Sequence, residues 1–274
     1  MLLHLTGKKI KSNLPEHVKV AEDRPYLHSE IKQFIDIATP RNKALVLIMC
    51  SGGLRIGGIP GLRIKDLIPI DEYGIYRINV YAKSKRSAYF TFCTPECRVA
   101  IDQYLAWRKR FGERITVDST VFRTDYNAYA RNIKDPKPCT ENAVTHTMDK
   151  LLRATGMRGF GIENQERKRR EIMRSHGLRK FFETNAFKAG MNNMYIRRLM
   201  GQDSGLEDAY LNLTEQELLE GDSMHVGYIG IIDQLCISEE KRLKQENVIL
   251  KSEVSEIRSA LDDLNRVKEH LGLT

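Results

Sequence analysis

The stretch SGGLRIGGIPGLR, residues 51–63, has five glycines among its first eleven residues, and Arg55 is the single arginine among them. Glycine-rich turns often cradle phosphates, so a nucleotide-binding loop is the first hypothesis. No Gly-Lys-Ser/Thr follows at the spacing of a P-loop. The apolar run ALVLIMC, residues 44–50, predicts a buried helix before the glycines, whereas a dinucleotide fingerprint follows a strand. The segment therefore predicts a tight turn around Arg55.

The positive charge of the chain lies in its main body. The 274 residues carry a formal net charge of +8, with a pI of about 9.2. Residues 239–274 hold seven Lys or Arg and eight Asp or Glu, a net charge of −1, so the preceding 238 residues carry +9. This charge fits a polyanionic partner, and it also fits an ordinary basic surface. The length indicates one large domain or two of modest size.

The sequence shows no membrane or metal-site signal. No run of 18 or more apolar residues predicts a membrane span, and the N-terminus lacks the pattern of a secretion signal. We therefore expect a cytoplasmic protein that does not enter a membrane. The five cysteines lack the paired spacing of a zinc site, since Cys93 and Cys97 form a lone C-x3-C. Reduced, buried thiols and no metal are expected.

Helices dominate the predicted secondary structure. Apolar periodicity and capping residues predict helices over residues 28–37, 40–50, 95–111, 140–154, 167–188 and 193–200. Two alternating runs, 75–81 and 88–92, predict an antiparallel β-hairpin with the lysines of AKSKRS at its tip. The predicted fold class is therefore mainly α with a small antiparallel β-hairpin or sheet (α+β).

The C-terminal region has a separate pattern. Thr214-x-x-Glu217 predicts a capping box that opens a further helix. Beyond it, spacings of four and three residues alternate through Leu243, Asn247, Leu250, Val254, Ile257, Leu261, Leu264, Lys268 and Leu271. This heptad favours a coiled coil over about 240–272, and an amphipathic helix packed on its own domain is the alternative. We divide the chain into an arm or linker (1–25), a main domain (26–222) and a helical tail (223–274).

Two segments hold polar residues that suit an oxyanion. His176 and Arg179 lie three residues apart in SHGLRKFFETNAF and so face one side of a helix, where the arginine offers a bidentate fork. A solvated basic face is the alternative for these two residues. Tyr210 follows in LMGQDSGLEDAYLNLT, where a tyrosine is by itself more often a packing residue than a nucleophile. Lysines and arginines precede His176, and they indicate either a solvated helix face or phosphate contacts.

In their order along the chain, these elements resemble the catalytic domain of the tyrosine recombinase (phage-integrase) family. SGGLRIGGIPGLRIKDL resembles its T-G-x-R motif with a leucine-rich turn, and SHGLRKFFET resembles its H-x-x-R motif. LMGQDSGLEDAY resembles its L-G-H…Y element. FTFCTPEC and GLEDAYLNLTEQELL are most similar to integrases of archaeal mobile elements. The resemblance spans about residues 25–220.

The resemblance implies a tyrosine recombinase catalytic fold and site-specific DNA strand exchange without a cofactor. A tyrosine hydroxyl attacks a backbone phosphodiester, leaving a 3′-phosphotyrosine and a free 5′-hydroxyl, and the reverse step rejoins the strand. The positions that match the catalytic residues are Arg55, Lys85 (alternative Lys83), His176, Arg179, Gln202 and Tyr210. The candidate DNA-binding residues are Arg167, Lys168, Arg169, Arg170, Arg174 and Lys180.

The implied partner is double-stranded DNA at a specific attachment site, in the integration or excision of a mobile element or virus, and a virus or plasmid is the expected source of the gene. The tail would form a dimer, and a tetramer would form on the DNA synapse. About 25 residues precede the part that resembles the catalytic domain, so we expect a fragment or a minimal form.

Three departures from the family pattern keep two other functions open. Gln202 replaces the usual His or Trp, Gly58 replaces an acidic residue, and Tyr210 follows Gln202 by eight residues where nine is usual. These departures fit a non-catalytic DNA-binding relative. The same tyrosine chemistry without partner exchange would relax DNA, as a type IB topoisomerase does.

Overall fold

The computed structural model describes residues 24–84, 87–124, 137–157, 174–202 and 213–238, and every structural statement below concerns these residues. The elements in chain order are α1 (His28–Ile37), α2 (Pro40–Gly52), two 3₁₀ turns (Ile56–Gly58, Ile64–Asp66), β1 (Leu67–Ile70), β2 (Ile75–Val80), β3 (Tyr89–Phe92), α3 (Pro95–Arg110), α4 (Glu141–Ala154), α5 (Arg174–Lys188), α6 (Asn193–Leu199), α7 (Glu215–Glu220) and α8 (Tyr228–Leu235).

Threonine caps set the start of four helices. Before α2, α3 and α4, the threonine side chain accepts a hydrogen bond from a backbone N–H of the first turn. Proline occupies the first position of both α2 and α3, where its missing N–H is not needed. The predicted capping box of Thr214 and Glu217 is present at the start of α7. The starts that the sequence predicts for these helices are therefore confirmed.

The sheet has three antiparallel strands in the order β1-β2-β3. The predicted hairpin is confirmed, with Arg77 opposite Phe92 and Val80 opposite Tyr89. The strand β1 was not predicted; it pairs Leu67 with Ile78 and lies at the edge of the sheet. Its sequence, LIPI, is short and contains a proline, which weakens the strand signal and suits an edge position.

The core forms around α2, which is buried along most of its length from Ala44 to Gly52. Helices α3 and α5 and strand β3 pack against it, and α8 packs on α5. The hydroxyl of Tyr228, at the start of α8, donates to the carbonyl of Ser51 at the end of α2 (2.8 Å). The described residues are thus mainly helical with one small antiparallel sheet, as the sequence predicts. The predicted coiled coil lies outside them.

A buried ion network closes the C-terminal end of α3. Glu113, 5% exposed, accepts hydrogen bonds from Arg108 Nε (3.0 Å) and from Arg123 Nη1 (2.7 Å). Arg108 also donates to the carbonyl of Thr120 (2.8 Å). Burial raises the pKa of Glu113, but the hydrogen bonds from the two arginines outweigh it and leave the pKa below its ordinary value. The carboxylate is therefore held in its charged form.

All five cysteines are buried and free of disulfides. Within the described part of the chain, no three His, Cys, Asp or Glu side chains are arranged to hold a metal ion. No helix among those residues has the length and apolar character needed to cross a membrane.

Candidate active site

Arg179 lies on α5 and is held by the ends of two other helices. Its side chain is 6% exposed. Nη1 donates to the carbonyl of Gly53 (2.6 Å), which ends α2, and Nη2 donates to the carbonyl of Met200 (2.9 Å), which ends α6. The C-terminal end of a helix carries partial negative charge on its free carbonyls, so it stabilises a cation. Arg179 is therefore fixed by the backbone, and no carboxylate is among its hydrogen-bond acceptors in the described residues.

Arg55 stands beside Arg179 on the glycine-rich turn. It is exposed, and its Nη1 donates to the carbonyl of Gly201 (3.0 Å). Burial lowers the pKa of Arg179, and the positive charge of Arg55 lowers it further. Two neighbouring positive charges repel each other, and an anion bound between them offsets this repulsion. The pair thus presents one buried and one exposed guanidinium in an arrangement that suits an anion.

Two glycines shape this arrangement because the backbone turns sharply at each. Gly53 has a φ of 61°, and a Cβ there would lie 2.6 Å from the ring of Phe182. Gly201 has a φ of 59°, and a Cβ there would overlap the ring of Tyr89. Such conformations are open to glycine and costly for other residues. Gly53 of the opening stretch thus serves helix termination and close packing, which agrees with the predicted tight turn.

Gln202 follows Gly201 directly, and its backbone N–H donates to the carbonyl of Arg197 (2.9 Å). This bond closes the end of α6 and places the half-buried glutamine next to the carbonyl that holds Arg55. The turn therefore brings together three predicted site residues, Arg55, Arg179 and Gln202, from three separate segments of the sequence.

His176 lies one helical turn before Arg179 on α5, and it is exposed. Two of the predicted DNA-binding residues are on the same helix. Arg174 is partly exposed and pairs with Asp149 on α4 (2.7 Å), and Lys180 is half-buried. Arg174 is thus partly neutralised in this structure. The other four, Arg167, Lys168, Arg169 and Arg170, lie outside the described residues.

The hairpin base contributes two residues that the sequence reasoning missed, Tyr81 and Tyr89. Their ring centroids lie 6.2 Å apart. Tyr81 has a φ of 54° and is the single non-glycine residue with positive φ among those described, so the chain is strained where it enters the tip. Lys83 is exposed on this tip, and Lys85 lies outside the described residues. The sequence feature that could have identified them is their position beside the hairpin tip, at the end of the first alternating run and near the start of the second.

Gly58, where the family has an acid, packs against the sheet. A Cβ at this position would lie 2.8 Å from Cγ1 of Val80, a buried residue of β2. A carboxylate side chain does not fit this space unless the side chain of Val80 shifts. Among the described residues, the Gly201 carbonyl accepts a hydrogen bond from Arg55 and so orients it in the absence of an acid at position 58.

Two tyrosines that neighbour the predicted nucleophile in sequence are engaged elsewhere. Tyr195 is 1% exposed and donates to Asp222 (2.9 Å), and burial with this carboxylate raises its pKa to about 12. Burial likewise raises the pKa of Tyr228, which donates to Ser51. Both phenols therefore resist ionisation. Tyr210 lies outside the described residues, and its role stays a prediction.

Comparisons with known proteins agree with this architecture. The sequence model of the phage integrase family matches residues 26–216. Transposase A from transposon Tn554 of Staphylococcus aureus is 22% identical over 229 residues, which cover 77% of this chain and 55% of the transposase. The chain thus spans about half the length of the curated relatives it matches.

The fold of this chain resembles those of solved integrase structures. The integrase from mycobacterium phage Brujita gives a TM-score of 0.52 at 16% identity, over 82% of this chain and 60% of that one. The Tn1549 transposon integrase in complex with transposon right end DNA gives a TM-score of 0.51 at 17% identity, over 76% of this chain and 67% of that one.

Proposed function

Because this chain belongs to the phage integrase family, we propose that it is a site-specific DNA recombinase that acts through a 3′-phosphotyrosine intermediate. The observation that supports this proposal most is the Arg55–Arg179 pair, held by backbone carbonyls beside Gln202. In phosphoryl transfer, negative charge is spread over the non-bridging oxygens, and fixed guanidinium groups stabilise it. Arg179 supplies a rigid donor below the phosphate, and Arg55 supplies one from the solvent side.

The remaining steps need a nucleophile and two proton transfers. Tyr210 would attack the phosphorus, and the positive charge of the two arginines would favour its phenolate. His176 lies on the same helix as Arg179 and would take the phenolic proton or donate to the phosphate. A lysine of the hairpin tip, Lys85 or Lys83, would protonate the leaving 5′-oxygen. No cofactor enters this scheme, because the covalent bond to tyrosine conserves the phosphodiester energy.

The biological setting follows from the same proposal. The substrate would be double-stranded DNA at an attachment site, recombined during integration or excision of a mobile element. The curated relatives come from a bacterial transposon, and the resemblance to archaeal elements stays a prediction. Dimerisation through the heptad tail, and a tetramer on DNA, belong to the proposal.

The test is covalent capture. The protein is incubated with suicide duplexes that carry candidate attachment sites, and the adduct is resolved on denaturing gels. We expect an adduct that Tyr210→Phe abolishes and Tyr195→Phe leaves intact, since Tyr195 is buried against Asp222. An adduct that persists in Tyr210→Phe would show that another tyrosine attacks. Tight duplex binding without an adduct at any site would favour a non-catalytic DNA-binding relative.

A further inference from the structure

Tyr89 supports the turn that holds both arginines. It is the first residue of β3 and pairs with Val80 across the hairpin. Its ring lies so close to Gly201 that a side chain there would overlap it. The carbonyl of Gly201 accepts from Arg55, and the preceding carbonyl, of Met200, accepts from Arg179. The ring therefore supports the backbone turn that carries the two carbonyls, and these carbonyls hold Arg55 and Arg179.

The hydroxyl of Tyr89 is buried and makes no hydrogen bond of regular geometry among the described residues, although it lies near Arg179 and near the backbone of Arg55. An unpaired buried hydroxyl destabilises a fold, so its presence calls for an explanation. Burial raises its pKa, the positive charges of Arg179 and Arg55 act in the opposite direction, and the net pKa lies above the ordinary value. The phenol is therefore neutral at physiological pH, and its oxygen remains an acceptor.

Arg179 has donors left to meet this oxygen. A guanidinium carries five N–H groups, and the carbonyls of Gly53 and Met200 take one each. The remaining three are available to a bound phosphate and to one further acceptor. A neutral phenol oxygen orients a guanidinium without cancelling its charge, whereas a carboxylate in the same place would weaken its attraction for phosphate.

We propose that Tyr89 is a positioning residue whose hydroxyl oxygen accepts a hydrogen bond from Arg179 when a phosphate is bound, and so fixes the plane of that guanidinium. The inference rests on the proposed function, because the phosphate is that of the DNA strand. In the free protein the hydroxyl lies beside the guanidinium of Arg179 without a hydrogen bond of regular geometry, and in the complex it becomes part of the site.

The experiment compares Tyr89→Phe with the wild-type protein, because this change removes one oxygen and keeps the ring against Gly201. We expect the thermal midpoint to be no lower than that of the wild type, and duplex affinity to stay within about twofold. The single-turnover rate of adduct formation should fall about tenfold, the equivalent of about 1.4 kcal/mol. Tyr104→Phe, which removes another buried hydroxyl on α3, away from both arginines, is the matched control and should leave all three quantities nearly unchanged.

A merely structural role would lower the thermal midpoint and duplex affinity together with the rate, and that outcome overturns the proposal. An unchanged rate in Tyr89→Phe also overturns it. Loss of stability with loss of rate in Tyr89→Leu alone would show that the ring matters and the hydroxyl does not.

A second measurement separates this inference from the proposed function. Inorganic phosphate is titrated into protein labelled with ¹⁵N-arginine, and the Nε–H signal of Arg179, assigned with Arg179→Lys, is followed. We expect Tyr89→Phe to change the bound Nε–H signal of Arg179 while phosphate affinity, like duplex affinity, stays within about twofold. If the wild type forms no adduct with any duplex, the proposed function fails, and this titration alone decides the role of Tyr89. Identical titrations of the two proteins overturn it.

Discussion

Replacing Arg179 by lysine should separate the folding role of this residue from its role at the phosphate. The guanidinium makes two buried hydrogen bonds, to Gly53 (2.6 Å) and to Met200 (2.9 Å). A hydrogen bond from a charged donor stabilises a protein by about 1.5–3 kcal/mol. A lysine ammonium keeps the charge but lacks the fork that spans both carbonyls, so Arg179→Lys should lose one such bond. At about 2–4 °C per kcal/mol for a domain of this size, the thermal midpoint should fall by about 3–12 °C.

Arg55→Lys is the matched control, because Arg55 is exposed and makes one such bond. Its thermal midpoint should stay close to that of the wild type, since exposed substitutions cost about 0.5 kcal/mol or less. Adduct formation should fall about 10²–10³-fold in both variants, the usual effect of removing one transition-state donor. Equal thermal midpoints for the two variants, measured by calorimetry in one buffer, would refute the conclusion that helix-end carbonyls anchor Arg179.

Three further predictions concern stability. Gly58→Asp restores the acid usual in the family, yet it should destabilise the fold by about 1–3 kcal/mol in urea unfolding through its clash with Val80; a gain in stability would contradict this. Glu113→Gln should cost about 3–5 kcal/mol at pH 7. Folding lowers the pKa of Glu113, so the ionised carboxylate contributes fully to stability above its unfolded pKa of about 4.3. This contribution is lost as the pH falls through the folded pKa. The thermal midpoint of the variant should therefore decline less steeply than that of the wild type between pH 5 and 3. Tyr228→Phe should cost about 1–3 kcal/mol, because it leaves the Ser51 carbonyl unpaired, without altering adduct formation.

Local signals in the sequence were sufficient for most elements. Threonine caps, first-turn prolines and apolar periodicity marked α2, α3 and α4 correctly, because these features act within a few residues of the helix start. Alternation marked β2 and β3 for the same reason. The edge strand β1 was missed, since its four residues include a proline and its pairing with β2 is its main support.

The sequence was sufficient to select the side chains of the candidate site, but it did not indicate the backbone carbonyls that hold them. Arg55, Arg179 and Gln202 were chosen because their positions match the motifs of the family in order along the chain. The carbonyls that hold the arginines have no residue-type signature, because every residue has one, and their positions follow from where α2 and α6 end. Tyr89 was missed because its importance comes from a contact with Gly201, which lies on a different element.

The use of backbone carbonyls has a consequence for how this site tolerates mutation. Any side-chain exchange at Met200 leaves its carbonyl in the chain, so a complete substitution library would report the two arginines and their glycines but would overlook their acceptors. Such acceptors are open to test by replacing single amides with esters in semisynthetic protein, which weakens one carbonyl at a time. The orientation of the arginines thus depends on the path of the main chain, and a substitution that keeps this path leaves both acceptors in place.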